Sequence, residues 1–464
     1  MGRKDFTPIA PKQRTLGTLD LLLIWFGAAI AITEIWAGGL PQLTALGLAG
    51  GLLAIVLGRF IGNGLMGAMA RAGAETGLPT MVLTRPTFGV RGSWLPAFFN
   101  VLQLVGWTGW MLFVGFLYLD ILAEAVGLPT FAQQPLMKYI WVILLAALCT
   151  WWAYGGQRLW RIAERVCGGL LLALTIAMTV IVARQYDLAA LWAAHPAGGR
   201  QLLAGTDLVV AMSVSWLPLV ADYSRFARKA RSGQLGTFWG YFIGGVWMYA
   251  VGLLVAVATL PQAGAEAASP DQLVMRVMGS QGAAWALAAI VLVLLSTVTT
   301  TFLDIYSTVV STQNLLPRFP EKGGTIIAGA LGVVVALALD ITLYEPFLKA
   351  IGAVFLPAFS IVLVDYFWLY RRRVQTSQLT LLRGAYWFSG GYNLAAILAW
   401  IIGFVVYDWA QGFASSGYFG GLFGCPFGCT PLPTGASLPC IAASVVAYVI
   451  LRAILRTGSR AKAS

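Results

Sequence analysis

Four places in this chain of 464 residues set groups capable of chemistry inside otherwise apolar sequence. In the first, LLLIWFGAAIAITEIWAGGLPQL, the residues Gly27, Ile30, Ala31, Glu34 and Gly38 follow the i, i+3, i+4, i+7, i+11 spacing of one helical face. Most of that face is small, so a neighbouring helix or a ligand can come close. A carboxylate such as Glu34 is costly at membrane depth and must face a partner or a cavity. In the second place, Asn100, Gln103, Trp107 and Trp110 share a helical stripe. Indoles beside amides can stack a flat ring while its edge is hydrogen-bonded. The third is TDLVVAMSVSWLPLVADYSRFARKAR, Thr206 to Arg231. Here Ser213, Ser215 and Pro218 interrupt an apolar run, and proline removes a backbone N–H and forces a helix to kink or open. The fourth is a hydroxyl run, Ser296, Thr297, Thr299, Thr300 and Thr301, followed by Asp304 and Ser307. Such hydroxyls either ligate a hard cation together with unwound carbonyls or bond back to their own helix.

Long apolar segments must carry these groups. Hydrophobic residues make up 59% of the chain and charged residues 10%, against about 25% charged in soluble domains; the mean hydropathy is +0.79. The pattern is that of an all-α polytopic membrane protein with about twelve transmembrane helices, each needing ~20 apolar residues. The spans lie near 18–39, 44–68, 93–122, 137–155, 162–183, the stretch 206–231, 235–260, 282–311, 324–341, 346–370, 386–408 and 437–456. The first apolar run is long and lacks a small-residue cleavage site, so no cleaved signal is expected.

Net charge is +12, but the charges fall in short loops. They therefore set orientation and meet anionic lipid, and no nucleic-acid partner is expected. Placing both termini in the cytoplasm puts 24 of the 30 Lys and Arg on the inner side and five on the outer, with Arg59 inside the second span. Residues 1–17 and 457–464 are then cytoplasmic tails. Asp222 is expected to pair with Arg225 or Arg228, and Asp365 with the Arg371–Arg373 cluster. Cys149 and Cys167 read as small core residues. Cys425, Cys429 and Cys440 fall in or near the last outer loop, where a disulfide is conceivable in an oxidising compartment and zinc is not, for want of a fourth ligand. The single histidine, His195, precedes a proline in an outer loop. No nucleophile–base set and no HExxH motif exists, which argues against an enzyme. The polar groups cluster near mid-membrane instead of lining a continuous path, which argues against a channel.

The segment TRPTFGVRGSW (residues 84–94), the Gly106–Trp107 pair that follows, and ADYSRFARKAR (residues 221–231) resemble the signature segments of the nucleobase–cation symporter-1 family near its cytosine-permease branch. The resemblance extends over about residues 15–455. It implies a LeuT-type fold: five helices repeated inverted as helices six to ten, with helices one and six broken at mid-membrane. Residues 18–370 would form that core and 371–456 two accessory helices. It also implies a secondary transporter of a small heteroaromatic substrate, in the plasma membrane, with no cofactor. By resemblance, Na+ would bind the carbonyls of Gly27 and Ile30 and the hydroxyls of Thr299 and Thr300. Trp107 would stack the substrate ring, and the backbone of Met212 and Ser213, with Trp216 beside them, would meet its polar edge.

The chain departs from cytosine permeases at several of these positions. A Gln three residues before the stacking Trp is Leu104 here, with Gln103 displaced by one. Two substrate-binding Asn are Ser296 and Thr301, and a small residue of the first helix is Glu34. Amides that pair with ring carbonyls are gone while a carboxylate, Glu34, has appeared. A pocket of this kind prefers an amino group and fewer carbonyls. Hydroxymethylpyrimidine, the thiamin precursor, has that chemistry, and the pattern resembles the branch that transports it. Cytosine, purine, allantoin or hydantoin remain alternatives, as does a non-transporting receptor. Glu34 and Asp304 also leave proton coupling open beside sodium, and nothing in the pattern sets an oligomeric state.

Overall fold

A computed structural model describes residues 7–154, 157–193, 199–263, 269–316, 318–379, 381, 383–411 and 435–455. His195, Cys425 and Cys429 lie outside the described residues.

The membrane-spanning elements follow the expected order. They are α1 (Thr18–Ala29), α2 (Ile32–Gly38), α3 (Gly47–Thr76), α4 (Trp94–Ala125), α5 (Leu136–Tyr154), α6 (Gln157–Gln185), α7 (Gly199–Val214), α8 (Val220–Ser224) and α9 (Ala230–Ala263). An extra surface helix, α10 (Pro270–Gly279), precedes α11 (Ala283–Leu315), α12 (Glu321–Ala338), α13 (Tyr344–Val364), α14 (Leu394–Gln411) and α15 (Ser437–Ile454). Among the described residues nine helices are long and apolar enough to cross a bilayer, α1 with α2 forms a bent tenth, and Gly169–Gln185 and Gln201–Val214 are shorter apolar helices at the places expected for the fifth and sixth. The chain is a polytopic, all-helical membrane protein.

The inverted repeat shows in the packing. The first span packs on the seventh (α1 on α9), and the sixth on the second (α7 on α3). The third packs on the ninth (α4 on α12), and the eighth on the fourth (α11 on α5). Adding or subtracting five turns each contact into its partner. The second span lies against the seventh and the third against the eighth, pairs that map onto themselves. Spans one, two, six and seven thus form one bundle, and three, four, eight and nine another. The last two spans lean on the tenth (α14 and α15 on α13).

Both first members of the two repeats are interrupted. In the first span Ile30 (φ −80°, ψ 77°) and Ala31 (φ −138°, ψ 148°) leave the helical region, and the two halves meet at 65°. The five positions read as one helical face therefore do not form a continuous one: Gly27 lies before the break and Glu34 and Gly38 after it. In the sixth span, residues 215–219 around Pro218 form tight turns, with Trp216 N–H donating to the Ser213 carbonyl and Leu217 N–H to that of Val214. On the side away from α2 the interrupted spans are laced together: Leu16 N–H donates to the Phe226 carbonyl and Arg228 N–H to that of Leu16.

Several boundaries differ from expectation for identifiable reasons. The eleventh span begins at Leu394, not near 386, because Phe388, Gly390 and Gly391 adopt positive φ and Asn393 is pinned through its side chain to the Thr87 carbonyl at 2.6 Å. The second span runs on to Thr76 and stops where Gly77 adopts φ +73°. The helix α10 buries Leu273, Val274, Val277 and Met278 on one stripe. Asp365 pairs with Arg452 of the last span and accepts from Thr87 at 2.9 Å, instead of pairing with Arg371–Arg373. Asp222 accepts the Thr80 backbone N–H at 2.9 Å. Cys440 is buried with a free thiol, as is Cys149.

Candidate functional site

The two breaks face one cavity between the bundles. It encloses about 510 Å3 not filled by atoms, its open side included. Its walls come from the first span (Ala28, Ala31, Thr33, Glu34), the third (Gln103, Leu104, Trp107, Met111), the sixth (Met212, Ser215, Trp216, Leu219) and the eighth (Thr300, Asp304). These are the four spans on which the sequence places polar groups, and the cavity brings together Glu34, Gln103, Trp107, Met212, Trp216, Thr300 and Asp304 of the expected site.

The other expected residues stand outside its lining. The side chain of Ser213, whose backbone is the part expected to meet the substrate, turns away from it: its hydroxyl accepts from Arg59 at 3.4 Å, and its Cβ lies against Gly62, where an added methyl would come within 2.5 Å. Thr301 is fully buried and donates to the Thr297 carbonyl at 2.6 Å. Thr299 donates to the Ser296 carbonyl at 2.9 Å, and Ser296 is itself buried. Gly27 and Ile30 lie at the break, with Ile30 N–H donating to the Gly27 carbonyl at 3.1 Å. The Met212 carbonyl takes the Ser215 hydroxyl at 2.7 Å.

The polar groups of the cavity divide sharply by what they have left to offer. Gln103 donates both amide hydrogens within the protein, to Asn100 Oδ1 and to the Ser215 carbonyl, each at 2.9 Å. That second bond ties the third span to the break in the sixth and fixes which way the amide points, because a carbonyl only accepts. Gln103 Oε1 is left buried without a donor. The Trp216 indole N–H donates to the Tyr241 hydroxyl at 2.7 Å. Glu34 is ion-paired with Arg59 and accepts from Tyr241. Asp304 is buried in the eighth span, and among the described residues its carboxylate has no donor.

Glu34 therefore plays a different part from the one its sequence position suggests. Its negative charge is matched by Arg59, a residue that the sequence alone marks only as a cation inside the second span. The signal was present, since an arginine at mid-span needs an acid, but the register between helices that joins positions 34 and 59 is not in the sequence.

Aromatic side chains pack together behind Trp107 on the α2 side. Trp36 stacks on Tyr344 at 3.7 Å between centroids and 7° between planes. Trp110 meets Tyr344 edge-on at 5.1 Å, and Trp107 meets Phe347 at 5.1 Å. Tyr344 also donates to the Thr33 carbonyl at 3.0 Å. The first turns of the tenth span are thus fastened to the second half of the first.

A helical membrane bundle with paired broken spans around one aromatic, oxygen-lined cavity is the architecture of a secondary transporter. Comparison with known proteins names the family. Residues 8–424 match the model of permeases for cytosine/purines, uracil, thiamine and allantoin, and the chain belongs to that family. It is similar to a purine-uracil permease of Arabidopsis thaliana, 28% identical over 86% of this chain and 70% of that one. It is likewise similar to the cytosine permease of Escherichia coli K12, 28% identical over 87% and 88%. Among solved structures it shares the fold of Mhp1, a nucleobase-cation-symport-1 family transporter. The inward-facing form matches with a TM-score of 0.79 at 18% identity over 97% of this chain and 93% of that one. The closed form with bromovinylhydantoin matches with 0.75 at 20% over 99% and 96%. The relatives are permeases and transporters, not enzymes.

Proposed function

We propose that the protein imports hydroxymethylpyrimidine across the plasma membrane by cation symport, with both termini in the cytoplasm and the ring held against Trp107. The observation that carries this reading is a buried carboxylate in the cavity wall, Asp304, with no donor among the described residues. Gln103 Oε1 is buried beside the cavity, likewise without a donor there. Two of the donors nearby, the Gln103 amide and the Trp216 N–H, are already taken, which leaves the Trp107 N–H and the Thr33 and Thr300 hydroxyls in the lining. A buried carboxylate left without a donor rewards a ligand that brings one. Hydroxymethylpyrimidine brings an amino group and a hydroxyl and has no ring carbonyl, whereas uracil has two. The relevant acid is Asp304, since Glu34 is engaged by Arg59 and Tyr241.

Sodium is the coupling ion of this reading. Gly27 and Ile30 bring carbonyls at a break in the ladder, and the Thr299 hydroxyl, whose hydrogen goes to the Ser296 carbonyl, keeps its lone pairs. With Thr300 these residues would hold the ion through oxygens alone, the ligand type a hard cation requires, and the ion would supply the driving force for uptake. A second reading, proton coupling, is favoured by Asp304, a buried carboxylate without a donor among the described residues.

Uptake of labelled hydroxymethylpyrimidine into proteoliposomes tests this directly, under a sodium gradient, a proton gradient or neither, with cytosine, uracil and hydantoin as competitors. Sodium-driven accumulation, with uracil the weakest competitor, is expected. In Asp304→Asn the preference for hydroxymethylpyrimidine over uracil should fall at least tenfold. Preference for uracil in the unaltered protein sinks the substrate assignment, and accumulation driven only by protons moves the coupling to Asp304.

A further inference from the structure

One buried cation ties together both interrupted spans. Arg59 sits on α3 with no exposed surface. It is ion-paired with Glu34 on α2, and its other terminal nitrogen lies 3.4 Å from the Ser213 hydroxyl at the end of α7. Its guanidinium carbon is 4.8 Å from the ring centre of Tyr241 and 4.5 Å from that of Tyr249, both on α9. Tyr241 completes the set, donating to Glu34 while accepting the Trp216 indole N–H at 2.7 Å. Of these groups Glu34 and Trp216 line the cavity, whereas Arg59, Tyr241, Tyr249 and Ser213 do not.

We infer that Arg59 and Tyr241 are positioning residues, which set the two cavity walls, Glu34 and Trp216, from behind. The inference deepens the reading of the cavity as the transport site and rests on it. Each Glu34 oxygen already has a donor within the protein, so two of the carboxylate's four acceptor sites are turned away from a ligand. Trp216 has its only polar atom taken, so it offers the ligand its apolar ring. The selectivity of the cavity thus depends on two residues that never touch the ligand. A guanidinium suits the task because its planar fork reaches an acid on one span and a hydroxyl on another at once; an ammonium, a point charge, does not. Because the acid and the indole meet in one tyrosine hydroxyl, displacement of the first span after its break is felt at the break in the sixth.

The test is Tyr241→Phe, which keeps the ring and removes only the hydroxyl. It leaves the Trp216 N–H and one Glu34 oxygen without a partner while Arg59 still neutralises Glu34, so the chain should fold. Two readouts are made on full-length protein. The first is uptake kinetics per amount of monodisperse protein, using whichever of hydroxymethylpyrimidine, cytosine, uracil and hydantoin the unaltered protein accumulates. KM should rise about tenfold, the scale of one orphaned buried hydrogen bond, with Vmax within twofold. The second needs no substrate: the rate at which a maleimide labels Leu219→Cys at the cavity wall, in a background whose five native cysteines are alanine. That rate should change at least threefold when Tyr241→Phe is added. A KM within twofold of the unaltered protein, a loss confined to Vmax, or an unchanged labelling rate overturns the inference. If the unaltered protein accumulates none of the four compounds, the transport reading of the cavity fails, and the labelling rate alone decides whether Tyr241 positions its wall.

Discussion

Replacing Arg59 with methionine should destabilise the protein far more than replacing Arg59 and Glu34 together. The two side chains are 0% and 3% exposed, so solvent screening offers no relief. Removing one partner of such a pair leaves an uncompensated charge in the interior, at a cost of about 3–5 kcal/mol. At ~1.4 kcal/mol per factor of ten, that is between two and four powers of ten in the folding equilibrium. In the double variant Glu34→Gln/Arg59→Met no charge remains. The glutamine carbonyl still accepts from Tyr241, and a neutral replacement of a buried pair is often close to isoenergetic. Measured as the temperature at which detergent-purified protein loses its monodisperse peak on size-exclusion chromatography, Arg59→Met should fall well below the unaltered protein. The double variant should recover most of the loss. If the single and double variants lose the peak at the same temperature, Glu34 is not carrying a charge that Arg59 compensates, and the reasoning about the pair is refuted.

Trp107→Ala should weaken binding of the transported ring by about 1–3 kcal/mol, the scale of one base–aromatic stack. Trp107→Phe should lie between it and the unaltered protein, as read by competition binding. Thr299→Ala combined with Thr300→Ala should abolish the sodium dependence of uptake, and persistence of the full sodium stimulation would remove these hydroxyls from the ion site. Gly252→Ala should not yield folded protein, because a Cβ there would run into the Ile35 backbone carbonyl on α2; a monodisperse peak at the unaltered yield would contradict the described packing of α9 on the first span.

The sequence made the interruption at Pro218 readable because proline breaks a helix by local chemistry that needs no neighbours. The break at Ile30–Ala31 carries no such mark. The stretch GAAIAIT contains no proline, and its opening is a tertiary effect that only the family resemblance anticipates. The four polar spans and the polar cavity residues Glu34, Gln103, Thr300 and Asp304 were legible because a buried polar group in an apolar helix needs a reason to be there. Ser296 and Thr301 were placed in the site by resemblance and stand outside the cavity lining; which side chains reach the cavity depends on packing, as where the Ser213 Cβ lies against Gly62. The part played by Glu34 was hidden for the same reason, because its partners Arg59 and Tyr241 are distant in sequence and meet it only through the crossing of α2, α3 and α9.

The central claim is that the ligand lies between the two breaks with its donors on Gln103 and Asp304. A structure of the full-length protein in lipid with bound hydroxymethylpyrimidine tests it most directly. The ring should lie on the Trp107 indole, its amino group within hydrogen-bonding distance of Asp304 or Gln103 Oε1, with Glu34 still paired to Arg59. A ring bound elsewhere, or one held by Glu34 after its release from Arg59, would contradict the account.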